Sequence, residues 1–412
     1  MIIFENASLL DGSLDHAVDH ARGGMSVLVE GEVIREVSDK PIAGSGQRID
    51  LKGRTLMPGL IDCHVHLVAA LANLGANAML PDAVVTLHTA RLMNEMLTRG
   101  FTTVRDLGGA TYALKMAWDE GLLPGPRMSI CGKALSQTGG HCDFRGRHDT
   151  RPADFFAGRL GSLGRLVDGV AEVRRACREE MKAGADYIKI MANGGVASPT
   201  DPIAFMGFSE EELRACVEEA HMAQTYVAAH LYTDDAIARA VRAGVRSLEH
   251  CNLITEATAR DAAKAGAIAC PTLVTFDALK KEGAALGLPP ASVAKIDDVR
   301  LAGLESIAKM EAAGLMMVYG TDLLGPMHRH QSEEFVIRGQ VQKPIDVIRG
   351  ATCYAAIMLR EEGRLGCVSP GALADFIVVE GDPLADLSLL THQGAHMPAI
   401  MQGGRFVKNT LY

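Results

Sequence analysis

The chain of 412 residues has no apolar run of the roughly 18 residues needed to cross a bilayer, so no membrane segment is expected. Its amino terminus, MIIFENASLLDG, has no basic stretch followed by an apolar one, and no signal peptide is read there. Basic residues never cluster far enough to track phosphates. With 41 Lys and Arg against 50 Asp and Glu the formal net charge is −9, so nucleic acid is not an expected partner. Low-complexity segments and fixed-period repeats are absent. The nine cysteines are odd in number and lack the spacing of a disulfide framework. They are expected to be reduced, mostly buried thiols of a cytoplasmic protein. Cys63 adjoins His64, but strand alternation is expected to turn it to the opposite face.

Aromatic residues are scarce at 5%, whereas 48% of the chain is hydrophobic and 43 residues are glycine. That composition suits a tightly packed α/β protein with many short turns. Residues 2–55 read as short strands separated by Gly31 and Gly53, and strand-like runs return at 374–379 and 405–408. Both ends are therefore expected to form one composite β domain, a sandwich of residues 1–56 and 366–412. The middle, 57–365, alternates apolar runs with Ala-rich helical stretches. Strands are expected at 59–66, 102–106, 127–132, 187–191, 226–231, 247–250, 267–271 and 316–322. Helices are expected at 84–99, 166–183, 209–223, 234–243 and 291–313, with a capping box from Ser209 to Glu212. Left-handed caps are expected where Ala-Gly ends a helix, at Gly184, Gly244, Gly266 and Gly314. Eight βα units imply a TIM-type (β/α)₈ barrel, with the site at the carboxyl ends of the strands. The loop of about 133–165, rich in Gly, His, Arg and Asp, is long enough to be functional.

Around Pro58-Gly59 an apolar run leads into Asp62 and then His64-x-His66. Residues i and i+2 of a strand share a face, so the two imidazoles project together as half of a metal site. Further ligand types recur at the predicted strand ends: Lys189 in strand four, His230 in strand five, His250 in strand six and Asp322 in strand eight.

On these residues the sequence resembles the amidohydrolase superfamily of metal-dependent hydrolases. PGLIDCHVH, DYIKIMANGG, AAHLYTDDAI, SLEHCN, YGTDL and the C-terminal GALADFIVVEGDPLAD carry the resemblance over nearly the whole chain. The runs from Lys133 to His141 and from Met327 to Glu334 make it most similar to the imidazolonepropionase-related branch with prolidase-like and Xaa-Arg dipeptidases. The resemblance implies two divalent ions, expected to be zinc. His64, His66 and Asp322 would hold one and His230 and His250 the other. Lys189 would bridge them as the carbamate formed with CO₂, because an ammonium cannot ligate a cation. Asp322 would then move the proton of a metal-activated hydroxide to the leaving amine, with Tyr232 and His141 as partners of the developing oxyanion or a carboxylate.

The expected reaction is hydrolysis of an amide bond in a small molecule, a dipeptide or an N-acyl amino acid, by a homo-oligomeric enzyme. His141, Arg145, Tyr232, His328, Arg329 and His330 are the candidate substrate-binding residues, several of them suited to a carboxylate. A neutral or cyclic amide, a carbamate or a phenylurea is the alternative substrate. Deaminases of the superfamily generally lack the strand-four lysine and place a Glu shortly after the strand-five His; here Leu231-Tyr232-Thr233 follows His230. A non-catalytic protein on the same fold would be expected to have lost ligands, and this chain keeps all six.

Overall fold

The computed structural model describes residues 1–15, 19–198 and 200–411. Its centre is a (β/α)₈ barrel whose parallel strands are Leu60–Val65, Phe101–Asp106, Arg127–Ile130, Ile188–Met191, Val227–Thr233, Ser247–Leu253 and Ile268–Cys270. The expected eighth strand forms no ladder of its own. Segment 316–322 meets its neighbour through one parallel bridge, Ala269 with Met317. It still closes the barrel, because Val318 N–H donates to Ala269 C=O and Cys63 N–H to Tyr319 C=O. The chain then has to bend sharply at Asp322, whose φ of 52° is incompatible with strand geometry.

The long loop after the third strand is more ordered than its composition suggests. It contains two short parallel strands, Ala134–Ser136 and Gly164–Leu166, the first of which joins the fourth barrel strand at Leu135 and Ile190. The helix expected from 166 starts only at Val170, because Gly169 (φ 82°) breaks the backbone before it. The continuous helix expected over 291–313 is three pieces, Pro290–Val293, Ile296–Arg300 and Gly303–Ala312. Lys295 lies in the first break and reaches toward another loop, a tertiary contact that helical periodicity does not encode. The Ser209–Glu212 capping box is present, and Gly184, Gly244, Gly266 and Gly314 all have positive φ.

Both termini join one sheet in the order Arg405–Asn409, Ala399–Gln402, Phe376–Val379, Thr55–Pro58, Ile2–Leu9, Arg22–Glu30 and Val33–Ser38, with Gln47–Asp50 also paired to Ile2–Leu9. It encloses its own core of Phe4, Val27, Ile34, Leu56, Phe376 and Met401, where the rings of Phe4 and Phe376 meet edge to face at 5.0 Å. Thr55–Pro58 pairs with Phe376–Val379 immediately before the first barrel strand. The β domain thereby anchors the strand that carries both histidines. Among the described residues no helix is long and apolar enough to cross a membrane. The cysteines are all free, and all but Cys367 are buried.

Candidate metal centre and active site

The first strand does not alternate regularly where it matters, since its pairing with the second shifts between Asp62 and Val65. The simple i, i+2 argument that set Cys63 apart from His64 therefore does not govern this stretch. Cys63 is buried in a layer with Cys131, Tyr187 and Cys270. His64 and His66 reach the barrel mouth, where Asp322 Oδ1 lies 3.3 Å from His64 Nε2 and 3.2 Å from His66 Nε2. One ligand atom each from His64, His250 and Asp322 lies within 4.8 Å of the others. The rings of His230 and His250 are 4.8 Å apart, and those of His64 and His250 4.9 Å. Five of the six expected ligands thus converge, and Lys189 is buried on the fourth strand, near enough for its charge to act on His230 and His250.

The outer nitrogens of the imidazoles are tied down. His64 Nδ1 lies 2.9 Å from Glu249, His66 Nδ1 3.1 Å from Gly108 C=O and His250 Nδ1 2.7 Å from Thr272 Oγ1, leaving each Nε2 turned to the centre. His230 is held the other way round, with Nε2 3.2 Å from Gly194 C=O. Such partners fix the tautomer and aim the free lone pair, as at metal-binding histidines. Burial pushes the pKa of His230 and His250 well below the usual histidine range, keeping them neutral. Burial alone would also lower that of His64, but Asp322 and Glu249 outweigh it and raise it. For Asp322 burial acts upward and is overcome by His64, His66 and His250, so the carboxylate stays ionised. Burial lowers the pKa of the Lys189 ammonium against the pull of Glu249 and Asp322. Imidazoles, a carboxylate and a buried amine form a donor set suited to divalent ions. His250, Cys251 and Asp322 all have positive φ, so this mouth carries backbone strain.

Several residues around the centre were not among the ligands and substrate residues expected from sequence. Glu249 also accepts from Arg105 Nη2 at 2.8 Å and from Ser247 Oγ at 2.5 Å. Asp62 accepts from Thr321, Gln331 and the N–H of His64, and burial pushes its pKa up to about 6. Asn193 Oδ1 takes the N–H groups of Tyr232 and Thr233, both at 2.8 Å, and so sets the end of the fifth strand. Cys270 comes within reach of His64 and Glu249. That carboxylate is already committed to Arg105 and Ser247, so no second metal position follows.

A narrow cleft opens on the centre through His66 and Asp322. His141, Tyr232, Cys142 and Thr275 line it together with Leu74, Phe144, Leu163, Met191, Val196, Phe276, Leu279 and Leu324. Of the six candidate substrate residues, the structure brings only His141 and Tyr232 here. Tyr232 packs edge-on to His230 at 4.6 Å, and burial raises its pKa well above the usual phenol value, keeping its hydroxyl protonated. Arg145 is folded back on Asp143, with bonds of 2.8 and 2.7 Å, and on Arg151 C=O. Arg329 is half exposed and bonded to Glu282, and His330 sits between Glu282 and Glu333. His328 is buried beside a separate pocket under Leu67–Ala70, and neither of its ring nitrogens has a partner.

The Amidohydrolase family matches residues 55–404. The ochratoxinase of Aspergillus niger is 31% identical over 422 residues, which cover 93% of this chain and 85% of that protein. Among solved structures, an amidohydrolase superposes with a TM-score of 0.97 at 54% identity and covers 100% of both chains. A prolidase complexed with N-methylphosphonate-L-proline superposes with a TM-score of 0.96 at 47% identity, covering 99% of each chain. The chain belongs to the amidohydrolase family and is a hydrolase of amide or peptide bonds.

Proposed function

We propose that the protein is a binuclear metal hydrolase that cleaves the amide bond of a dipeptide or N-acyl amino acid carrying apolar side chains. The convergence of His64, His66, His250 and Asp322 beside an apolar cleft carries this reading. His64, His66 and Asp322 would hold one ion and His230 and His250 the other, and Lys189, buried on the fourth strand, would contribute to both as the anionic carbamate formed with CO₂. When bound, such ions activate water as a nucleophile near neutral pH and polarise the scissile carbonyl. Asp322 takes the proton of the attacking water and returns it to the leaving nitrogen. The protonated Tyr232 hydroxyl donates to the oxygen that gains charge. His141 lines the same cleft and is the group left there to meet a carboxylate.

Among the described residues the cleft supplies Leu74, Phe144, Leu163, Met191, Phe276 and Leu279 but, apart from Asp322, no acidic side chain. An apolar residue such as proline or phenylalanine fits it, whereas a buried arginine side chain would lack a counter-charge. Similarity to the prolidase solved with a proline phosphonate supports the same substrate class. A neutral or cyclic amide, a carbamate or a phenylurea is the second reading, favoured by one observation: Arg145, Arg329 and His330 are already paired elsewhere. A screen of dipeptides and N-acyl amino acids, alongside neutral amides and ureas, tests both. Turnover confined to the neutral compounds would reject the dipeptidase reading.

A further inference from the structure

His141, Ser198, Asp201 and Lys295 come from three separate loops and meet over one wall of the cleft. His141 Nδ1 lies 2.9 Å from Ser198 Oγ and 3.7 Å from one oxygen of Asp201. The Ser198 hydroxyl donates to the other Asp201 oxygen, and Gly195 N–H donates to the carboxylate at 3.2 Å. Ser198 has a single proton, and Asp201 takes it. The Ser198 lone pairs therefore receive the Nδ1–H of His141, which leaves Nε2 for the cleft. Both Ser198 and Asp201 are almost fully buried.

Lys295 fixes the backbone that presents this pair. Its ammonium has three N–H groups, and they go to the carbonyls of Gly195, Ser198 (2.9 Å) and Asp201 (3.1 Å). Gly195 shows how closely the loop and ring are fitted, since a Cβ there would fall 1.8–2.4 Å from three atoms of the His141 imidazole. The ring also stacks on His230, with centroids 4.2 Å apart and planes 18° from parallel. His141 is thus wedged between a loop and the ring of His230, and Asp201, through Ser198, keeps a proton on Nδ1.

We propose that Asp201, acting through Ser198, is a positioning residue for His141, and that Lys295 holds the loop in which Asp201 and Ser198 lie. The proposal rests on the reading that His141 meets the substrate. The test is a two-by-two cycle of Asp201→Asn and His141→Asn, using an apolar dipeptide or N-acyl amino acid that the wild type cleaves. Metal content is measured for each protein. Asp201→Asn is expected to lower kcat/KM roughly ten- to a hundredfold, the usual range for an outer partner of a site histidine, with metal content unchanged. In the His141→Asn background the same substitution is expected to add less than about a twofold change, because residues acting as one unit are not additive.

An equal fall in both backgrounds assigns Asp201 a general structural role and overturns the proposal. An active Asp201→Asn beside an impaired His141→Asn overturns it as well, while leaving the role of His141 intact. Wild-type activity in His141→Asn instead removes the reading beneath it. If Asp201→Asn does not fold, Ser198→Ala, which deletes only the hydroxyl link, is carried through the same cycle with the same outcomes.

Discussion

Glu249 Oε2 lies 2.9 Å from His64 Nδ1, and the opposite oxygen of the same carboxylate takes Arg105 Nη2 at 2.8 Å, with none of the three residues exposed beyond 1%. One buried carboxylate therefore orients a metal-site imidazole and neutralises a guanidinium at the barrel centre. In Glu249→Gln the shape is kept and the charge facing Arg105 is lost. Breaking such a pair costs about 3–5 kcal/mol, and loss of an outer partner weakens metal binding about ten- to a hundredfold. A lower melting temperature and faster loss of metal to a chelator are expected together. Normal metal retention at a lowered melting temperature would confine Glu249 to the partnership with Arg105.

The centre was legible to unequal degrees. That His64, His66, His230, His250 and Asp322 would share one rim could be read because barrel strands bring their carboxyl ends together, so ligand types recurring at strand ends imply a common site. Glu249 stood next to His250 in Leu-Glu-His and went unread, because its partners lie 185 and 144 residues away. Lys295 was invisible for the same reason, with its partners 94 to 100 residues away. The cationic loop residues misled in the opposite direction, since sequence shows a charge and not what has already claimed it. Arg145 is claimed by Asp143, two residues before it. Segment 316–322 looked like a strand because it is apolar and extended, yet its hydrogen bonds are divided among Ala269, Gly350 and the first strand.

Lys189 provides a test of the binuclear reading. Protein purified without chelators is expected to contain two ions per chain by elemental analysis, and prolonged chelation to abolish turnover. Lys189→Ala should lose activity and part of the metal. A short carboxylic acid such as acetate, which carries the same anionic pair of oxygens as a carbamate, should restore a measurable fraction. One ion per chain with bicarbonate present throughout would leave a mononuclear centre.

Asp322→Asn separates proton transfer from assembly of the site. The amide keeps the side-chain volume but cannot accept the proton of the attacking water. Turnover is expected to fall at least about a hundredfold, the lower end of general acid–base contributions, with a smaller change in KM. Near wild-type turnover in metal-replete protein would assign the proton to another group.

His328 gives a pH signature independent of turnover. Its burial lowers the pKa from the ordinary 6.5 to about 3, with Arg99 and His66 acting in the same direction. Between those values the unfolded chain binds a proton that the folded chain refuses, so stability is retained above pH 6.5 and declines as the pH falls toward 3. One such group contributes a slope of about 1.4 kcal/mol per pH unit. In His328→Leu the stability curve over that window should be shallower by this amount. Identical slopes in denaturant titrations of the two proteins would mean that His328 is protonated in the folded state.

The last prediction concerns the substrate's carboxylate, for which the structure leaves His141 as the imidazole partner in the cleft apart from the metal ligands. A charge-assisted hydrogen bond is typically worth about 1.5–3 kcal/mol, so the free acid of an apolar dipeptide should exceed its amide roughly ten- to a hundredfold in kcat/KM. His141→Ala should narrow that preference, chiefly through the acid. Arg329→Met should leave it unchanged, because the guanidinium is half exposed and already bonded to Glu282. Dipeptides with a basic residue should be poorer than those with proline, leucine or phenylalanine, since the cleft would bury their charge against Leu74, Phe144 and Phe276. Equal cleavage of acid and amide by the wild type, with no loss for basic residues, would turn the assignment toward a neutral amide or urea.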